Sequence, residues 1–104
     1  MRIIDAHNHP DWHGHDFNKS LENMDRFGIE KTWLLSWESP HSDYCHNYSQ
    51  LLPSGVLGSG REPVPFTRCL SYKERAPERF ILGYCPDPRE PDACRRLIAA
   101  HDIY

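Results

Sequence analysis

Three short apolar runs alternate along this chain with three stretches of helical periodicity, and that order restricts the fold more than any other feature. Residues 2–7, 29–37 and 80–85 are rich in Ile, Leu, Phe and Trp and read as strands. Residues 17–27, residues 63–75 and the stretch opened by Pro91 and Asp92 carry apolar side chains at helical spacing. Strand, helix and strand in that order, with apolar residues on both strand faces, predict parallel βαβ units covered on both sides.

Local punctuation supports the same boundaries. Asp16 suits the N-cap of the first helix, whose Phe17, Leu21, Met24 and Phe27 fall on one face, and Gly28 suits the left-handed residue that closes it. The second helix places Phe66, Cys69, Leu70 and Lys73 along one side and ends at Pro77. Pro86-Asp87-Pro88 marks a turn after the third strand. Cys94, Leu97, Ile98 and His101 share a face of the third helix, where His101 reads as structural.

The first run ends in Asp5-Ala6-His7-Asn8-His9-Pro10. Side chains alternate along a strand, so Asp5, His7 and His9 are expected on one face, while Pro10 stops the strand. Two imidazoles at a strand end can aim one ring nitrogen each at a single ion, the other N–H going to a carboxylate or carbonyl. Asp5 is the nearby carboxylate. Two surface histidines in a turn would share this spacing, but an apolar strand before the pair and a helix after it favour a site.

A second His-x-His, His13-Gly14-His15, follows no apolar strand and is loosened by Gly14, so it reads as a decoy. Trp12 and His13 are instead candidate substrate contacts, as is Trp37 at the exit of the second strand, for which a packing role is the equal alternative. Residues 38–62 lack periodicity. His41, Tyr44, His46 and Tyr48 read there as solvent-facing, with polar contact to a substrate as the alternative. The run from Gly55 to Arg61 lacks the Lys of a phosphate loop.

The opening MRIIDAHNHP, together with Pro77-Glu78-Arg79-Phe80 and the run to Pro88, resembles the amidohydrolase superfamily, and within it the amidohydrolase-related group of metal-dependent hydrolases and decarboxylases. The resemblance implies a (β/α)8 barrel of the TIM type, with the Asp-x-His-x-His at the end of its first strand. It implies His7 and His9 as ligands of a catalytic divalent metal ion, zinc above others, and further ligands, a carboxylate among them, from later strands. The Pro-Glu-Arg-Phe segment is a structural signature without information on substrate.

A complete barrel needs about 250 residues, whereas this chain has 104. With 38% apolar and 26% charged residues it is globular in composition. Residues 1–104 are therefore expected to form one domain, about three βα units from the N-terminal part of a barrel. An incomplete barrel leaves an open sheet edge and uncovered inner side chains, which predicts association with a second copy or with the rest of the barrel.

The formal charge of -3 without a basic stripe argues against nucleic acid, and no apolar run reaches the roughly 20 residues that cross a bilayer. With no signal-peptide pattern, a cytoplasmic setting is expected. Cys45, Cys69, Cys85 and Cys94 form no C-x-x-C pair and read as free, mostly buried thiols.

The function expected is therefore metal-dependent hydrolysis of a small molecule by a metal-activated water, belonging to the whole barrel, with little or no turnover from these 104 residues. A decarboxylase of the same group and a non-catalytic metal-binding fragment are the alternatives. A phosphatase-type barrel that also opens with His-x-His fits less well, since no dense run of further His and Asp ligands follows. The catalytic acid or base has no candidate in this sequence.

Overall fold

A computed structural model of the chain describes residues 1–39 and 64–104. Strands β1 (Ile3–Asn8), β2 (Ile29–Leu35) and β3 (Phe80–Gly83) form a parallel sheet in the order β1-β2-β3. Helix α1 (Phe17–Phe27) joins β1 to β2, α2 (Phe66–Arg75) precedes β3, and α3 (Ala93–Ile103) follows it. The chain is thus a small α/β structure with the expected alternation. All three strands point the same way, so residues just past β1, β2 and β3 lie along one end of the sheet.

The helix ends follow from the side chains at them. Asp16 Oδ1 accepts the Lys19 N–H at 2.9 Å, and Gly28 takes φ 66°, a left-handed conformation that glycine adopts without Cβ strain. Helix α2 starts at Phe66, later than the expected residue 63, with Pro65 at its N-cap in extended conformation. Strand β2 ends at Leu35 instead of Trp37, because Trp37 turns to an antiparallel bridge with Val64.

The core lies between the sheet and the two helices α1 and α2. Phe17 and Met24 of α1, Leu34 of β2, Phe80 of β3, and Cys69 and Tyr72 of α2 form one buried cluster. Tyr72 meets Phe17 and Phe80 edge-on, with ring centroids 5.4 and 5.5 Å apart. Each such side chain, fully buried, contributes about 1.5–3 kcal/mol of transfer free energy. Phe27 departs from the expected face and is 59% exposed; it sits about 80° round the helix from Phe17, at the edge of the apolar stripe.

Only one sheet face is covered by the described helices, in contrast to the expectation for both. On the other face Trp33 is 42% and Ile4 52% exposed. There Leu35 lies across Gly83, where a Cβ would stand 2.1 Å from Leu35 Cδ2. The expected face of α3 also points outward, with Leu97, Ile98 and Cys94 exposed. That helix buries Ala93 and is also held by polar contacts, Arg96 donating to Glu38 at 3.0 Å and to the Tyr84 hydroxyl at 3.1 Å.

Among the described cysteines the thiols are free as expected, but only Cys69 is buried; Cys85 and Cys94 are exposed. Within the Pro77-Glu78-Arg79-Phe80 segment, Arg79 joins three elements. Arg79 donates to the main-chain oxygens of Glu30 and Ile29, each at 3.1 Å, and pairs with Asp25 at 2.8 Å. It thereby ties the start of β3 to the start of β2 and the end of α1. Among the described residues no helix is long and apolar enough to cross a membrane.

Candidate functional site

The end of β1 is irregular, and that irregularity makes the site. Asp5 pairs with Thr32 but Asn8 with Leu34, so the register slips between them and strict alternation fails. The Asp5 carboxylate is engaged by the strand end itself. Its Oδ1 accepts the His7 N–H at 3.2 Å and its Oδ2 accepts the Asn8 side-chain amide at 3.0 Å. Asn8 Oδ1 in turn accepts the His9 N–H at 2.9 Å. Asp5 thus braces the backbone of the strand end.

The two imidazoles meet as the sequence suggests. His7 Nε2 and His9 Nε2 are 3.3 Å apart, with ring centroids at 5.1 Å. His9 Nδ1 lies 2.7 Å from the Leu35 main-chain oxygen. A carbonyl only accepts, so Nδ1 carries the proton and Nε2 keeps its lone pair, aimed at His7. The partner of the ring N–H is thus the end of β2, and not Asp5.

The 3.3 Å separation serves two chemistries. His7 can donate its own Nε2–H to the His9 lone pair. Alternatively, two nitrogens at 2.0–2.1 Å from one tetrahedral zinc stand about 3.3–3.4 Å apart, so an ion can replace that proton with little movement of either ring. Burial lowers the pKa of His9, and the nearby His7 adds to this against the opposing Leu35 carbonyl. The neutral ring that results is the form that binds metal.

Two indoles pack against His9. Trp12 and Trp37 lie 5.1 and 5.6 Å from the His9 ring and 5.8 Å from each other. Trp12 belongs to a 3-10 turn (Trp12–Gly14), and its N–H reaches the His9 carbonyl at 3.4 Å. Trp37 is set by the bridge to Val64, with N–H to oxygen distances of 2.8 and 2.7 Å. Both therefore stand where a substrate contact was expected. The His13 side chain, and all of His41, Tyr44, His46 and Tyr48, lie outside the described residues.

Three residues of this region carry no motif. Asp11 adopts φ 59° and ψ 13° and accepts two hydrogen bonds from Arg68, at 2.6 and 2.8 Å. The Tyr72 hydroxyl donates to Asp11 Oδ1 at 2.9 Å and accepts the Asp11 N–H at 3.1 Å. Arg68 holds the Asp11 carboxyl below its ordinary pKa, with burial opposing and the Tyr72 hydroxyl assisting. Burial, with the Asp11 carboxylate beside it, pushes the Tyr72 phenol up to about 12. The signal in sequence was slight: Asp after Pro10, a residue type that tolerates the left-handed conformation.

Among the described residues no group of three or more His, Cys, Asp and Glu is placed to hold a metal ion, so the pair offers two ligands. Compared with models of known protein families, with curated proteins and with solved structures, the chain matches none.

Proposed function

We propose that His7 and His9 form part of a divalent-metal site, zinc above others, in a metal-dependent hydrolase of the amidohydrolase-related group acting on a small molecule. In this reading the three βα units belong to a (β/α)8 barrel, whose active sites gather at the C-terminal ends of the strands. The observation that carries it is the 3.3 Å approach of two Nε2 atoms, one of them deprotonated by the bond its Nδ1 makes to Leu35. The location supports it as well, since His7 near the end of β1, His9 just past it, Trp37 past β2 and Cys85 past β3 all lie at the C-terminal ends of parallel strands.

His7 and His9 would hold the ion through Nε2. A bound divalent metal supplies Lewis acidity, lowering the pKa of a bound water toward neutrality. The Leu35 carbonyl keeps His9 in the tautomer that presents a lone pair, and the indoles of Trp12 and Trp37 shield one side of the His9 ring. Two protein ligands hold an ion loosely, where catalytic zinc sites keep three and a water. Little turnover is therefore expected from these 104 residues.

The test is a zinc titration of the chain followed by the ring nitrogen resonances. One equivalent of zinc should move His7 Nε2 and His9 Nε2 together and leave His9 Nδ1 protonated. Resonances that stay fixed at millimolar zinc would sink the metal reading and leave the pair as a hydrogen-bonded couple. Hydrolysis against decarboxylation is separated by assaying lactones and amides beside carboxylic acids, in a chain that supplies the remaining strands.

A further inference from the structure

We propose that Arg68 and Tyr72 are positioning residues for the histidine pair, acting through Asp11 from a helix more than fifty residues away in sequence. The proposal deepens the reading of the pair as a metal site, and one arm of its test does not depend on any metal.

Asp11 stands between the pair and the indole that covers it. Pro10 before it is buried, and Trp12 after it packs against His9 at 5.1 Å. Its left-handed backbone, φ 59°, is uncommon for a residue with a Cβ and needs outside support to persist. The turn supplies part of that support, through the Trp12 N–H on the His9 carbonyl at 3.4 Å, and α2 supplies the side-chain part. Arg68 grips the carboxylate with two parallel bonds of 2.6 and 2.8 Å, and Tyr72 bonds both the carboxylate and the main-chain N–H, at 2.9 and 3.1 Å.

The anchor is rigid at its far end. Tyr72 has no exposed surface and is wedged between Phe17 and Phe80. Arg68 in turn lies 5.3 Å from the centre of the Tyr72 ring. An isolated exposed ion pair contributes about 0–1 kcal/mol, so a purely stabilising role would be small. A residue held by three bonds to its carboxylate and one from its main-chain N–H has a larger effect on geometry: it sets the direction in which the chain leaves Pro10, and with it the seat of Trp12 on His9. Loss of that seat admits water to the His9 Nδ1–H and frees the ring to turn away from His7.

The experiment compares the wild-type chain with Arg68→Ala, Arg68→Lys, Asp11→Asn and Tyr72→Phe. Its first readout, without metal, is the hydrogen-exchange rate of the His9 Nδ1–H. The expected result is exchange about tenfold faster in Arg68→Ala and Asp11→Asn. Arg68→Lys falls between, because an ammonium cannot make the two-pronged contact, and it decides the matter if Arg68→Ala fails to fold. Tyr72→Phe shifts the rate in the same direction. The second readout is zinc affinity, expected to fall about tenfold in Arg68→Ala, as when a partner behind a metal ligand is removed. Gly28→Ala, a destabilising change at the far end of α1, is the control and should leave the His9 exchange unchanged.

Unchanged His9 exchange in the Arg68 and Asp11 variants, with only a lower melting temperature, overturns the proposal. An exchange response equal to that of Gly28→Ala overturns it too, since a general loss of stability then explains it. If exchange responds as expected while the wild-type chain binds no zinc, the positioning role stands and the metal reading fails.

Discussion

The Nδ1 atom of His9 lies 2.7 Å from the main-chain oxygen of Leu35, so the end of β1 is tied to the end of β2 through a ring that also faces His7. The two histidines are therefore unequal in the fold. Without metal, His9→Ala removes a half-buried ring and its hydrogen bond and is predicted to cost about 1–2 kcal/mol. His7→Ala removes an exposed ring and is predicted to stay within about 0.5 kcal/mol of wild type. Urea unfolding of both variants in chelator checks this; equal losses would contradict the asymmetry.

Gly28 closes α1 at φ 66° with nothing within 4 Å of where a Cβ would stand. The cost of a side chain there is one of backbone conformation, not of collision. Gly28→Ala is predicted to destabilise by about 1 kcal/mol, and Gly28→Asn by less, because Asn tolerates this conformation. Denaturant midpoints for the two variants decide it.

Asp87 has its pKa lowered to about 2, first by its hydrogen bond to the Arg89 side chain and then by the Arg89 N–H. A carboxyl depressed on folding contributes stability that is complete above its unfolded pKa of about 4 and lost as pH falls through the folded value. The chain is thus predicted to lose stability between about pH 4 and pH 2 in part through this pair. Carboxyl carbon shifts followed against pH should give the low value, and Arg89→Ala should return it toward about 3.9. No movement in that variant would show that Arg89 is not the cause.

The sheet face that the described helices leave uncovered carries Trp33 and Ile4, 42% and 52% exposed. Parallel sheets normally have both faces covered, and an uncovered apolar face favours association. Light scattering is predicted to show self-association of the chain at high concentration, and Trp33→Lys to reduce it. A monodisperse wild-type monomer at that concentration would contradict the prediction.

Much of the architecture was legible because each boundary had a local cause. Asp16 and Gly28 bracket α1 by hydrogen bonding and by conformation, and the alternation of strands with helices requires parallel pairing. The meeting of His7 and His9 followed from their spacing at a strand end. What was not legible depended on distant partners. The register slip after Asp5 arises from pairing with β2, and it sends the Asp5 carboxylate to Asn8. The choice of Leu35 as partner for His9, and of Arg68 and Tyr72 for Asp11, is made by tertiary packing across 26, 57 and 61 positions. Only the sheet and α2, once assembled, bring those atoms together. The exposure of Trp33 has the same origin, since composition shows that a residue is apolar but not whether its face is covered.

The central claim is that the two Nε2 atoms are set to share one divalent ion, and competitive zinc binding in the wild-type chain, His7→Ala and His9→Ala tests it most directly. Trp12 fluorescence offers a local readout, its ring being 5.1 Å from His9. The account predicts one zinc per wild-type chain and affinity lower by at least about tenfold in each variant. Equal zinc affinity in all three proteins, or no binding by the wild-type chain, would contradict it.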